Sequence, residues 1–280
     1  MAQDARRAAK RVIPQYLARR MTRNLHTLIR DIQRRKARER RGLVVAEGLR
    51  LVGDALAGGA KVVAVLAADD VAATTAAPVL AAAGARGIET QVTARKEFDA
   101  LADTETPSGV LAVVEWEPGR LADVAGMDVG LLRVLVLDGV QDPGNVGTMI
   151  RTAYGLGIWM TVVLDGTADP RSAKVIRASM GAVFRHPVVA GTFAEFDELR
   201  RILDLALWVA SADGEPVDQL VQAATDDIAL IIGSEGHGVR DAWRSLDHVR
   251  VAVPMRGGAE SLNAGVAAGI LLYELTRASR

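Results

Sequence analysis

The sequence predicts an α/β protein whose larger, C-terminal part is built on a mostly parallel sheet and is preceded by a smaller α/β unit. Three observations carry that expectation. Short apolar runs without polar alternation, such as Val134–Leu137, suit strands buried on both faces. From residue 43 to residue 277 such runs alternate with segments of helical periodicity, the pattern of strands joined by crossover helices. Half of the 280 residues are hydrophobic, 27 are glycine and only 4% are aromatic, which fits close packing of helices on a sheet. A chain of this length exceeds the usual single domain, so two domains are expected.

The chain divides into a basic N-terminal extension and helix (1–41), an α/β unit (42–116), a linker (117–130) and the larger domain (131–280). Residues 1–41 hold twelve Arg and two Lys against Asp4, Asp31 and Glu39, a net charge of +11 that the rest of the chain cancels with −11. A basic arm on an acidic body points to a polyanionic partner, and its phosphate contacts are expected to weaken steeply with salt. Met1–Arg20 resembles a transit peptide in its arginine content but lacks serine, and reads as a basic extension, with Met21 as an alternative start. Asn24–Arg41 reads as one basic helix with Leu25, Leu28, Ile29 and Ile32 on its apolar side.

In the first unit, strands are expected at Leu43–Ala46, Lys61–Ala67, Ile88–Val92 and Gly109–Glu115. Helices are expected at Glu47–Ala57, Val71–Ala83 and Thr93–Ala102. Pro118, Gly119, Gly126 and Gly130 mark the linker. In the second unit the strands are Val134–Leu137, Thr161–Leu164, His186–Val189, Leu207–Ala210, Ile228–Ile232 and Val249–Val253. Its helices are Val146–Leu156, Ser172–Met180, Phe193–Leu205, Val217–Ala224, Val239–Leu246 and Leu262–Arg277. The last helix is apolar on nearly every side, so it is expected to be buried within the domain or against a second subunit.

Three stretches carry candidate chemistry. Asp138–Ala153, DGVQDPGNVGTMIRTA, follows a buried strand with turn formers, and Asn145 is expected to cap the helix after it. That turn lies at the carboxyl edge of the sheet, where open α/β sheets bind ligands, and Arg151 falls on the helix beyond. Leu230–Gly238, LIIGSEGHG, is a strand entering a glycine turn; it reads either as a plain connection or as backbone left bare for a flat ligand. Val253–Glu274 ends a strand, loops through Arg256–Glu260 and opens the last helix, which Ser261 can cap.

Together, in this order and spacing, the three stretches resemble the motifs of the SpoU/TrmH class of S-adenosylmethionine-dependent RNA ribose methyltransferases. Residues 44–56 and 101–114 are similar to the ends of that family's substrate-binding domain, which is itself similar to an RNA-binding ribosomal protein. Glu47 and Thr106–Gly109 there can touch RNA, or serve only as a helix start and a turn. The resemblance implies a SPOUT fold with a trefoil knot, against the usual rule of chain connection. It also implies a homodimer and a cytoplasmic RNA substrate, with rRNA favoured over tRNA. By resemblance Gly233, Val253 and Leu262 hold S-adenosyl-L-methionine, and Asn145, Arg151, Glu235, Ser261 and Asn263 surround the methyl group and the ribose. The pattern departs at Ala264-Gly265, where the family more often has a larger aliphatic residue followed by serine.

Other chemistries fit poorly. With no cysteine there are no disulfides, thiolate nucleophiles or iron–sulfur ligands, and His26, His186, His237 and His248 lack metal-ligand spacing. No phosphate-cradling glycine loop occurs, and Gly155-Leu156-Gly157 lacks the third glycine of a dinucleotide fingerprint and lies at a helix end. A non-catalytic RNA-binding or ribosome-assembly protein that keeps the fold stands as the alternative.

Overall fold

In the computed structural model, residues 25–124, 132–222, 227–255 and 262–277 are described. The expectations for residues 1–24, including the start at Met21, and for Ser261 and the Arg256–Glu260 loop lie outside them. Two sheets organise the chain. The first contains β1 (Leu43–Glu47), β2 (Lys61–Ala68), β3 (Glu89–Thr93) and β4 (Val110–Glu115) in the order β1-β4-β2-β3. Only β2 and β3 run parallel in it.

The second sheet has seven strands, all parallel: β5 (Gly119–Arg120), β6 (Arg133–Asp138), β7 (Met160–Leu164), β8 (Val188–Gly191), β9 (Ala206–Pro216), β10 (Ile228–Gly233) and β11 (Val249–Ala252). Its order is β11-β9-β10-β6-β7-β8-β5. The expected parallel sheet is therefore present, and β5 extends it from within the segment expected as a linker. Alternate residues of β6 serve opposite faces, as the two-residue period of a strand requires. Leu135 and Leu137 pack with the helices on one side, while Val134 and Val136 pack with Phe196 and Trp243 on the other.

The helices are α1 (Leu25–Ile32), α2 (Arg35–Arg41), α3 (Leu49–Ala57), α4 (Asp69–Ala72), α5 (Ala77–Ala85), α6 (Arg95–Asp99), α7 (Pro143–Leu156), α8 (Ala173–Ala178), α9 (Phe193–Ile202), α10 (Val217–Leu220) and α11 (Ala264–Arg277). Four of the departures from the sequence expectation have identifiable reasons. The basic N-terminal helix is two helices, because Arg38 turns back to donate to the carbonyls of Ile32 and Gln33. The expected helix at 71–83 is also two, restarted where Pro78 falls in a first turn, the one place a helix tolerates it. The segment expected as a helix at 239–246 is a 3-10 turn, Asp241–Ser245, drawn in by Trp243, whose indole N–H donates to the buried Asp138 at 2.7 Å. Helix α7 begins at Pro143, two residues before Asn145, with the Asp142 carboxylate accepting from Gly144 N at 2.8 Å.

The two sheets share a hydrophobic core. Val44 and Ala46 of β1, and Leu51 and Val52 of α3, join the same cluster as Val175 and Ile176 of α8 and Leu135 of β6. Leu25, Ile29 and Ile32 of α1 close the opposite face of the first sheet against Phe98 and Leu111. Across the seam, Arg38 donates to Asp169 at 2.7 Å, Arg171 bonds the same carboxylate at 2.8 Å, and Arg171 also pairs with Glu39. Burial pushes the Asp169 carboxyl up, but the hydrogen bonds from Arg171 and Arg38 outweigh it and hold the group below its ordinary value. Asp169→Ala leaves the Arg38 guanidinium buried without a counter-charge, and is expected to cost about 3–5 kcal/mol in denaturant unfolding. A cost under ~1 kcal/mol would show that the seam tolerates the bare cation.

His186, 5% exposed, meets the buried Thr161 hydroxyl at 2.9 Å through Nε2. Burial pushes its imidazole down to about 4. The folded state therefore binds fewer protons than the unfolded chain, whose histidine titrates at about 6.5. The stability this neutral ring contributes is complete above that value and is lost as pH falls from about 6.5 towards 4. His186→Gln is expected to flatten that part of the stability profile, and an unchanged profile would assign the acid sensitivity elsewhere.

Candidate active site

Strand β6 is wholly buried, and its last residue, Asp138, delivers the chain to the carboxyl edge of the sheet. Gly139 turns it with φ of 72°, and Pro143 starts α7. Asn145 is therefore not the helix cap, as the sequence had suggested. It lies in the first turn, 8% exposed, with its amide free to bond to other elements. Its Nδ2 donates to the Glu235 carboxylate, and its Oδ1 accepts from Asn263 Nδ2 at 3.1 Å. Three stretches, two of them 90 and 118 positions from Asn145, thus meet in one hydrogen-bonded chain, Glu235–Asn145–Asn263.

Each partner is fixed locally. Glu235 stands at the tip of a turn closed by paired bonds between Ser234 and Gly238, at 2.9 and 2.8 Å. The turn passes so close to the end of β10 that a Cβ on Gly233 would come 2.3 Å from the Gly238 carbonyl carbon. Asn263 caps α11, its Oδ1 accepting from Gly265 N at 2.9 Å and Val266 N at 3.3 Å. The cap expected at Ser261 falls on Asn263 instead, because its Oδ1 reaches the first free helical N–H groups while Nδ2 remains for Asn145. Gly265 is suited to this arrangement: a Cβ there would press to 3.2 Å from Asn263 Oδ1 and 3.3 Å from Asn145 Oδ1. The departure at Ala264-Gly265 thus accompanies a direct Asn145–Asn263 bond.

The remaining expected residues make no hydrogen bond to this chain among the described residues. Val253 follows β11 half-buried, and Leu262 precedes Asn263 with 37% of its surface exposed. Arg151 is exposed on α7, about 9 Å along the helix axis from Asn145. It makes no hydrogen bond or ion pair among the described residues.

Sequence reasoning missed the neighbouring ionic network. The Asp138 carboxylate, 2% exposed, accepts from Arg240 N at 2.8 Å, Arg240 Nε at 2.7 Å and Trp243 Nε1 at 2.7 Å. Arg240 also reaches Asp165 at 3.0 Å. An acid ending an otherwise apolar buried strand was the available signal, since a buried carboxylate demands such partners. Among the described residues no group of three or more His, Asp or Glu is arranged to hold a metal ion.

Known families account for both halves of this architecture. Residues 133–273 match the SpoU rRNA methylase family, and residues 27–112 match an MRM3-like substrate-binding domain. The chain belongs to the SpoU rRNA methylase family. It is 38% identical over 190 residues to the 23S rRNA (guanosine(2553)-2′-O)-methyltransferase RlmP of Bacillus subtilis, covering 68% of this chain and 73% of that protein. To the Escherichia coli 23S rRNA (guanosine-2′-O-)-methyltransferase RlmB it is 31% identical over 208 residues, covering 71% and 84% of the two chains. Among solved structures, the AdoMet-bound rRNA methyltransferase of Sinorhizobium meliloti superposes with a TM-score of 0.76 at 28% identity, covering 92% of this chain and 95% of that one. The SpoU methyltransferase AviRb of Streptomyces viridochromogenes, in complex with AdoMet, gives 0.75 at 29% identity and covers 91% and 98%. This SpoU methylase thus has relatives that match across both of its sheets.

Proposed function

We propose that this protein transfers a methyl group from S-adenosylmethionine to a ribose 2′-hydroxyl of ribosomal RNA in the cytoplasm. The observation that carries the reading is the Glu235–Asn145–Asn263 chain, which gathers all three motifs at the carboxyl edge of the parallel sheet. Named rRNA 2′-O-methyltransferases among the relatives and AdoMet-bound structural neighbours support it.

The residues suit the cofactor. Gly233, Val253 and Leu262 offer uncharged, partly apolar borders for a purine, and the Glu235 carboxylate is met by an amide rather than by a cation among the described residues. A carboxylate left un-neutralised complements a sulfonium. When bound, S-adenosylmethionine supplies an electrophilic methyl, so the protein has mainly to orient the incoming oxygen and assist loss of its proton. Asn145 and Asn263 hold the geometry. Arg151 cannot act as the base, because a guanidinium in protein stays protonated; it stabilises the developing alkoxide and orients an RNA phosphate that helps accept the proton. The first sheet, the basic N-terminal helices and Ser261 complete the RNA grip and the methyl site in this reading.

Two structural elements belong to the same proposal. The trefoil knot of the resemblance places α11 after a chain passage near β10, against which it packs. A symmetric dimer covers the apolar stripe that α11 leaves exposed, Val266, Ile270 and Tyr273 at helical spacing. Sedimentation of a monomer at micromolar concentration would contradict the dimer. Calorimetric titration with S-adenosylmethionine separates the enzyme from the alternative: saturable binding is expected, and its absence would favour a non-catalytic RNA-binding role.

A further inference from the structure

The Ser234–Gly238 turn carries Glu235 to Asn145, yet little around the turn holds it in place. Glu235, Gly236, His237 and Gly238 are all exposed, and a Cβ added to Gly236 would meet no atom within 4 Å. A turn with an unpacked tip takes its position from its two feet.

Both feet rest on one residue. In the ladder between β6 and β10, Asp138 is the register partner of Gly233, the residue before the turn. The Asp138 side chain takes the other foot, its Oδ2 accepting from the main-chain N–H of Arg240, just beyond the turn, at 2.8 Å. The same oxygen accepts from Trp243 Nε1 at 2.7 Å, while Oδ1 accepts from Arg240 Nε at 2.7 Å and lies 2.6 Å from its Nη2. Arg240 is fixed in turn to the end of β7, donating to the Asp165 carboxylate at 3.0 Å and to the Asp165 carbonyl at 2.8 Å. Its guanidinium stands 5.5 Å from the centre of the Phe193 ring.

Stability alone does not call for this chemistry. A carboxylate 2% exposed at the end of an apolar strand has lost its water, and apolar residues in place of such a buried pair are often neutral or stabilising. What apolar contact lacks is direction, and the bond from Arg240 N to Asp138 fixes where the returning chain stands. Asp138 also opens the stretch that leads into α7 and Asn145, so one residue serves as reference for both partners of the Glu235–Asn145 bond.

We propose that Asp138 and Arg240 are positioning residues of methyl transfer: they set the stance of the Ser234–Gly238 turn and, through it, the placement of Glu235 against Asn145. The proposal rests on the methyltransferase reading above and gives the buried network a part in it. The pair acts through Glu235 and does not itself meet the reacting groups.

The test uses the full chain with rRNA and labelled S-adenosylmethionine, and reads single-turnover transfer, KM for rRNA and thermal unfolding. Asp138→Asn keeps the side-chain shape but turns one accepting oxygen into a donor that faces donors. It is expected to slow transfer at saturating substrates by about 10²-fold, the scale of a small misplacement that arises away from the chemistry, with KM for rRNA unchanged. Arg240→Lys keeps the charge and the main-chain bond but loses the planar fork, and is expected to slow transfer by roughly tenfold. Joined to Glu235→Gln, Asp138→Asn is expected to cost less than it does alone, because the two share one route to the chemistry. A merely structural network would lower the unfolding temperature and leave the rate of the folded protein unchanged. A wild-type rate in folded Asp138→Asn or in Arg240→Lys, or equal costs of Asp138→Asn with and without Glu235→Gln, would overturn the proposal while leaving the methyltransferase standing. Should Asp138→Asn fail to fold, the rate of Arg240→Lys decides alone. A wild-type chain that transfers no methyl would remove the reading beneath it and the positioning role together.

Discussion

Replacing Arg151 with alanine is expected to slow methyl transfer by about 10²- to 10³-fold, the usual consequence of removing one donor aimed at developing negative charge. Cofactor affinity is expected to stay unchanged, since Arg151 is an exposed residue of α7 and is not among the residues assigned to the cofactor. Several exposed arginines elsewhere in the fold are tied to acids, such as Arg95 to Asp70 and Asp99, or Arg120 to Asp123. Arg151 has no such partner among the described residues and remains available to substrate. Lysine keeps the charge but not the planar fork, so Arg151→Lys is expected to recover only part of the rate. Single-turnover transfer from labelled cofactor measures both variants, and full activity in Arg151→Lys would deny a specific guanidinium role.

Gly233→Ala is expected to abolish measurable S-adenosylmethionine binding at concentrations that saturate the wild type. The added methyl would stand 2.3 Å from the Gly238 carbonyl carbon, 2.5 Å from its oxygen and 2.5 Å from Val239 N. These are backbone atoms, so no side chain can swing aside, and the Ser234–Gly238 turn must open. Opening it removes Glu235 from Asn145. Overpacking of this kind costs about 1–3 kcal/mol, tolerable for a core shared by two sheets, so the variant should fold. Calorimetry against a thermal unfolding control separates the outcomes: wild-type affinity in a folded variant would mean that the turn is not part of the cofactor site.

The parallel sheet was legible because β6, β7 and β10 are continuous apolar runs, and the convergence of motifs was legible from their order and spacing. What escaped the sequence was tertiary in origin. Nothing local in residues 24–41 announces a break; Arg38 makes it by folding back on Ile32 and Gln33 while reaching Asp169 on the other sheet. Asn145 looked like a cap because asparagine is a good one, yet Asp142 precedes Pro143 and takes that role, which frees the buried amide to bond Glu235 and Asn263. Pairwise partners across 90 or more positions have no periodicity to betray them. The Asp138–Arg240–Trp243 network was hidden for the same reason, although a lone acid closing an apolar strand pointed to it.

The most direct measurement is to incubate the protein with rRNA and S-adenosylmethionine labelled in its methyl group, then hydrolyse the product in alkali. A 2′-O-methyl blocks the neighbouring phosphodiester from cleavage, so the account predicts label in one alkali-resistant dinucleotide. Label recovered in free mononucleotides, which marks methylation of a base, or no label in RNA at all, would contradict it.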